Sequence, residues 1–202
     1  MTDITLITGV ILGGYILGSI PFGLLLTSLA GYGDIRKIGS GNIGATNVLR
    51  TGNRPLALLT LLLDSGKGAI AVIIAKLLWD EDLLALLAGG GAFIGHLYPL
   101  WLKFKGGKGV ATFLGTIIAL SWPVGVACCL TWIIVAAATR LSSLSALIAA
   151  LLSPVYSYFF ATSHMAILCL LLTGLIYIRH KENIRRILEG TEPKIGHKKK
   201  ED

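Results

Sequence analysis

Residues 110–139 read VATFLGTIIALSWPVGVACCLTWIIVAAAT, and the number of times this stretch crosses a bilayer decides the fold. An α-helix covers the hydrocarbon core with about 20 apolar residues. The stretch is too long for one crossing and short for two. At its middle stands Ser121-Trp122-Pro123, which has the chemistry of a tight turn, because proline fixes its own φ and removes a backbone donor.

Charge on either side resolves the count. Further apolar runs lie at about 4–29, with Pro21 near the end, and at 56–78, 83–102, 141–160 and 163–179. Cytoplasmic segments of membrane proteins are enriched in Lys and Arg. Met1-Thr2-Asp3 holds no basic residue and is placed outside. Arg36, Lys37, Arg50 and Arg54 then fall inside, the acidic Asp80-Glu81-Asp82 outside, and Lys103, Lys105 and Lys108 inside. Two crossings, at about 109–121 and 123–139, bring Arg140, Arg179 and the basic tail 180–202 inside as well. Sixteen of the eighteen basic residues then share one side, and the other two, Lys67 and Lys76, lie within a span. A single crossing would turn the tail outward. The expectation is one all-α integral membrane domain over 1–202, with seven transmembrane helices, the fourth short, the N-terminus outside and the C-terminus cytoplasmic.

Composition agrees. The chain is 54% hydrophobic and 14% charged, with mean hydropathy +0.75, against about 25% charged for soluble domains. Its net charge of +7 reflects membrane topology and anionic substrates and does not call for nucleic acid. The first apolar run has no basic flank, so it reads as a retained span and not a cleaved signal. Cys128, Cys129 and Cys169 sit inside apolar runs as small core residues. No Cys/His cluster has metal-ligand spacing, so no metal and no cofactor is expected. There is no G-x-S-x-G elbow and no internal repeat of the kind found in transporters.

Three polar segments interrupt the apolar scaffold. GSGNIGATNVLR (39–50) gathers Ser40, Asn42, Thr46, Asn47 and Arg50 with three glycines, and Asn42, Thr46 and Asn47 are expected to offer neutral hydrogen-bonding groups to a substrate. Glycine permits close backbone approach, and arginine can grip a phosphate with a bidentate fork. The bland alternative is a polar turn with a helix cap. KFKGGKGVAT (103–112) is not a P-loop pattern. Its Gly106, Gly107 and Gly109 are expected to leave backbone amides open beside Lys105 and Lys108, a phosphate cradle by chemistry. Its alternative is a basic patch on lipid headgroups. In RHKENIRR (179–186), His180 and Asn183 share a face if helical, and a histidine can move a proton or donate to an anion.

Asp64 and Lys67, in DSGKG, are i and i+3 within a span and are expected to pair and support the site from below. His96, in GHLYPLW, reads as a packed, hydrogen-bonded histidine, and His164 lies in an outer turn. His197 opens HKKKED, a formal H-x4-D match in a charged tail that reads as chance.

In the order and content of these three motifs, with DSGKG between the first two, nearly the whole chain resembles the bacterial acyl-phosphate:glycerol-3-phosphate acyltransferases. The resemblance implies acyl transfer from acyl phosphate to the 1-hydroxyl of glycerol 3-phosphate. The products would be 1-acyl-glycerol 3-phosphate (lysophosphatidic acid) and phosphate, in the first step of phospholipid biosynthesis. It also implies the bacterial inner membrane, an active site on the cytoplasmic face, and a functional link to an enzyme that makes acyl phosphate. The family's required serine and arginine fall on Ser40 and Arg50, and its glycerol 3-phosphate loop on Lys105, Gly106, Gly107, Lys108 and Gly109. Its histidine, asparagine and structurally important glutamate fall on His180, Asn183 and Glu192. Two other functional classes fit the sequence less well. A transporter for a phosphorylated metabolite needs polar groups through the membrane depth. A non-catalytic lipid-binding scaffold leaves the Gly/Ser/Asn motif without a role.

Overall fold

The computed structural model describes residues 3–196; His197 and the tail lysines Lys198, Lys199 and Lys200 lie outside the described residues. Regular structure among the described residues is helical throughout: α1 Ile4–Gly18, α2 Phe22–Leu29, α3 Ala45–Val48, α4 Arg54–Trp79, α5 Asp82–Leu97, α6 Val110–Leu120, α7 Trp122–Thr139, α8 Ser142–Phe160, α9 Ser163–Arg179 and α10 Lys181–Leu188. Five stretches are long and apolar enough to cross a membrane. They are Ile4–Leu29, α4, Asp82–Leu102, α7 and α8. A sixth is the pair α9 and α10, which is bent by 65°, and α6 is a shorter apolar helix of 11 residues.

The 110–139 stretch does break at Ser121, whose extended backbone (φ −151°, ψ 106°) separates α6 from α7. Two of the expected spans, 4–29 and 83–102, stand as apolar stretches of crossing length but each contains a break. The run 4–29 is not one helix, because Pro21 lacks an N–H and disfavours helical backbone at the residue before it. The run 83–102 leaves the α-helix after Leu97, and a 3-10 turn, Leu100–Leu102, follows Pro99.

These breaks explain the two lysines inside the spans. A helix end leaves carbonyls without intrahelical donors, and in an apolar setting each needs a partner. Lys67 Nζ donates to the Ile20 carbonyl at the α1/α2 break (2.8 Å), and Trp101 Nε1 donates to the Ser19 carbonyl (2.8 Å). Lys76 Nζ donates to the Ala119 and Leu120 carbonyls at the end of α6 (3.0 and 3.1 Å). Asp64 lies 2.9 Å from Lys67 Nζ, so the expected i, i+3 pair forms, and both side chains are buried.

Helices α1 and α5 pack through small residues. A Cβ on Gly14 or Gly18 would strike the carbonyls of Ala88 or Ala92. One on Gly91 or Gly95 would strike those of Ile11 or Tyr15. Two small-xxx-small stripes therefore face each other, the usual way apolar helices approach closely without a hydrophobic driving force. Tyr15 Oη closes this seam on the Tyr98 carbonyl (2.7 Å).

The contacts sort the connections onto two ends. Thr46 Oγ1 meets Ser142 Oγ (3.3 Å), Gly106 N–H donates to the Leu97 carbonyl, and Ile195 N–H donates to the Arg140 carbonyl. Thus 35–54, 98–109, 140–143 and 180–196 share one end. At the other end, Asp82 and Leu83 meet Thr162 and His164. All three polar motifs occupy the first end.

Candidate active site

In the first motif the loop is built around Asn47, which is 1% exposed. Its Nδ2 donates to the carbonyls of Ile35, Ile38 and Asn42 (3.0, 3.0 and 2.8 Å). Its Oδ1 accepts from Ser40 N–H (2.9 Å) and Ser40 Oγ (3.2 Å). The expectation that Asn47 offers its amide to a substrate is therefore corrected: its hydrogen-bonding groups are occupied in folding the loop. Ser40 and Thr46 are exposed, and Asn42 and Arg50 half-buried. Gly39 has φ +57°, and a Cβ there would lie 2.5 Å from Asn47 Oδ1 and 2.6 Å from Arg50 Cδ. Only glycine lets Arg50 lie across the loop.

The second motif is also corrected in part. Gly106 and Gly107 do not leave their amides open. They donate to the carbonyls of Leu97 and His96 (both 3.1 Å) and dock the loop on the end of α5. Arg179 grips the same two residues from the other side, with Nε on the Gly107 carbonyl (3.1 Å) and Nη2 on the Gly106 carbonyl (2.8 Å). Its guanidinium lies 5.5 Å over the Tyr98 ring, a cation–π contact that fixes its plane. Gly109 (φ +86°) then turns the chain into α6. The first amides of that helix have no intrahelical acceptor. Lys105 is exposed at the loop's edge, whereas Lys108 is half-buried and donates to Asn183 Oδ1.

The third motif is not one continuous helix. His180 sits at the bend between α9 and α10. Its Nδ1 is 2.8 Å from the Ile176 carbonyl, so Nδ1 carries the proton and Nε2 is left as the acceptor. Asn183 Nδ2 donates to Glu192 Oε1 (2.6 Å). The same oxygen accepts from Ser143 Oγ (2.7 Å), and Oε2 accepts from Arg186 Nε (2.7 Å). Glu192 thus orients Asn183, and Asn183 holds Lys108.

Electrostatics join the three motifs. Burial, with Arg186, Arg179 and Arg50 nearby, lowers the Lys108 ammonium to about 8, against the opposing pull of Glu192. Burial also lowers Arg50, with Glu192 opposing and Arg186 adding to the shift. Burial pushes Glu192 up, but hydrogen bonds from Ser143, Asn183 and Arg186 hold it below its ordinary value. His180 is lowered to about 4, chiefly by burial, so its imidazole is neutral at pH 7. One carboxylate set among four cations leaves an excess of positive charge poised for anions. No group of three or more metal-ligating side chains occurs among the described residues.

A family model described as glycerol-3-phosphate acyltransferase matches residues 8–190. The chain belongs to the glycerol-3-phosphate acyltransferase family. It is 64% identical to a curated glycerol-3-phosphate acyltransferase of Cereibacter sphaeroides over 197 residues, covering 98% of this chain and 92% of the relative. It is 56% identical to one of Rhodospirillum rubrum, covering 99% of each. Among solved structures it is similar to PlsY, an integral membrane glycerol 3-phosphate acyltransferase. The glycerol 3-phosphate form aligns at TM-score 0.87 and 34% identity, covering 94% of this chain and 96% of that one. The lysophosphatidic acid form aligns at TM-score 0.84, covering 94% and 95%.

As a member of the glycerol-3-phosphate acyltransferase family, the chain is a membrane acyltransferase. The structure brings Ser40, Arg50, Lys108, Gly109, His180, Asn183 and Glu192 to one end, and leaves Asp64 and Lys67 in the helices beneath. Sequence reading missed Arg179, Ser143 and Arg186 as parts of the site. Arg179 and Arg186 were hidden among the tail cations, and Ser143 carries no local signal at all.

Proposed function

We propose that this acyltransferase uses acyl phosphate as donor and makes 1-acyl-glycerol 3-phosphate and inorganic phosphate. The observation that carries the reading is the pairing of a cation-rich site with a single oriented carboxylate, Glu192. Both substrates are phosphate anions. Arg50 and Ser40 hold the phosphate of the donor, while Lys108 and the α6 N-terminus hold that of glycerol 3-phosphate. An acyl phosphate is a mixed anhydride and already activated, so positioning two anions and stabilising the developing oxyanion are the main tasks. The 1-hydroxyl oxygen attacks the acyl carbon, the carbon–oxygen bond to phosphate breaks, and the hydroxyl proton leaves with the phosphate. His180 orients rather than abstracts: a group lowered to about 4 is a weak base at neutral pH. Purified protein in lipid, given acyl phosphate and labelled glycerol 3-phosphate, should release one phosphate per ester formed at the 1-position. Ester formed without acyl phosphate would overturn the reading.

The same proposal places the site on the cytoplasmic face of a bacterial inner membrane, in a seven-pass chain with α6 as the short fourth span. The common end of the three motifs and the positive-inside rule support this orientation. Single cysteines at 52 or 190, in a background lacking the three native ones, should resist an impermeant reagent in whole cells, and one at 81 should react. Labelling of the position-190 variant would refute the seven-pass layout. A transporter reading fares worse, because Lys67 and Lys76 are both occupied at helix breaks and form no polar path through the membrane depth.

A further inference from the structure

Beneath the glycine loop lies a buried polar group that the proposed chemistry does not use. Asp64 and Lys67 are each 2% exposed and His96 is 5% exposed. Ionisable groups inside a membrane bundle are expensive and are kept for a reason. Lys67 has its reason in the Ile20 carbonyl, and Asp64 in the charge of Lys67. His96 has no such account. Its Nδ1 lies 3.7 Å from Asp64 Oδ1, beyond hydrogen-bond distance, and that oxygen is the one 2.9 Å from Lys67 Nζ.

The opposite edge of the ring faces the loop. A Cβ on Gly107 would land on His96 Nε2, with Cε1 at 2.8 Å and Cδ2 at 3.0 Å; the three nearest atoms all belong to this one ring. The backbone of His96 also takes part, since its carbonyl accepts the Gly107 N–H (3.1 Å). From the other side Arg179 holds the Gly106 and Gly107 carbonyls. The loop is clamped between a ring and a guanidinium, and Lys108 is the next residue along. Gly107 is glycine because the imidazole lies against it, and not because a phosphate must approach its backbone.

We propose that His96 is a positioning residue: its imidazole seats Gly107 and thereby sets where Lys108 meets the phosphate of glycerol 3-phosphate. The inference rests on the role given to Lys108 above, and its test separates the two. The test is steady-state kinetics in lipid with each substrate varied in turn, and thermal melting beside it, for Lys108→Ala, His96→Ala, Gly107→Ala and the double variant His96→Ala/Gly107→Ala. A misplacement of about 1 Å can cost on the order of a hundredfold. Gly107→Ala and His96→Ala are therefore each expected to raise the KM for glycerol 3-phosphate by about ten- to a hundredfold, with the KM for acyl phosphate within about twofold. The double variant should recover part of the loss of Gly107→Ala, since the obstructing ring is gone. A general loss of stability would move both KM values or neither, and would show no recovery. His96→Gln/Gly107→Ala is the second arm if the alanine variants do not fold, because a flexible side chain can yield to the new methyl where a rigid ring cannot.

A wild-type KM for glycerol 3-phosphate in His96→Ala, or a double variant no better than Gly107→Ala, would overturn the proposal while a raised KM in Lys108→Ala leaves the loop's role standing. An unchanged KM in Lys108→Ala would bring down the role of the loop and the positioning proposal together.

Discussion

Arg50→Ala is expected to lower kcat/KM by about 10²–10³-fold, the usual loss when one preorganised charge partner is removed from a site. The protein should still insert and melt near the wild-type temperature. The hydrogen bonds that build the first loop run through Asn47, to Ile35, Ile38, Asn42 and Ser40, and Arg50 only lies across Gly39. Glu192 and Arg186 act on its charge, and the proposed donor phosphate shares that field. Arg50→Lys should recover only part of the activity, because lysine is a point charge without the planar fork. Ser40→Ala should also lose activity, with the loop kept by the backbone bond from residue 40 to Asn47. Kinetics of the four proteins with both substrates varied, alongside melting curves, checks this. Full activity in Arg50→Lys would remove the bidentate grip.

Lys108→Ala is expected to raise the KM for glycerol 3-phosphate by about a hundredfold with a smaller fall in kcat, as loss of ground-state phosphate binding does. The ammonium also predicts a pH dependence. Burial and three arginines bring Lys108 down to about 8. It is therefore charged below about pH 8 and loses its charge as pH rises through that value. The wild-type KM for glycerol 3-phosphate should rise above about pH 8, and bound phosphate should move the rise upward. Lys108→Arg, which stays charged, should flatten that limb of the profile. A limb that persists unchanged in Lys108→Arg would assign the titration to another group.

Much of the fold could be read from the chain. The break at Ser121, the asymmetry of basic residues and the three polar segments all follow from local composition. The breaks at Pro21 and after Leu97 were understated, because proline's effect falls on residues before it and an apolar run reads the same on either side of a kink. What satisfies those breaks is long-range. Lys67 reaches back to Ile20 and Lys76 forward to Ala119 and Leu120, pairings that no local pattern announces.

The site was legible as residue types and less so as roles. Asn47 and Arg50 stand in one motif and look alike as ligand candidates. Burial separates them, since one builds the loop and the other faces the charge cluster. Gly106 and Gly107 carry the look of an open cradle, yet their amides are taken by the end of α5. Arg179 is one of several cations near the tail by sequence, and its two carbonyl partners set it apart. For Arg179 the deciding contact crosses more than seventy residues of chain, for Gly106 and Gly107 it is a pairing with the end of the preceding helix, and for Asn47 it is burial; composition and spacing encode none of these.

The identity of the acyl donor is the central claim. Purified protein in lipid should be offered acyl phosphate, acyl-CoA and acyl carrier protein with the same acyl chain, each with labelled glycerol 3-phosphate, and the labelled ester counted. Ester should form from acyl phosphate alone. Turnover with acyl-CoA or acyl carrier protein by a preparation inert with acyl phosphate would contradict it.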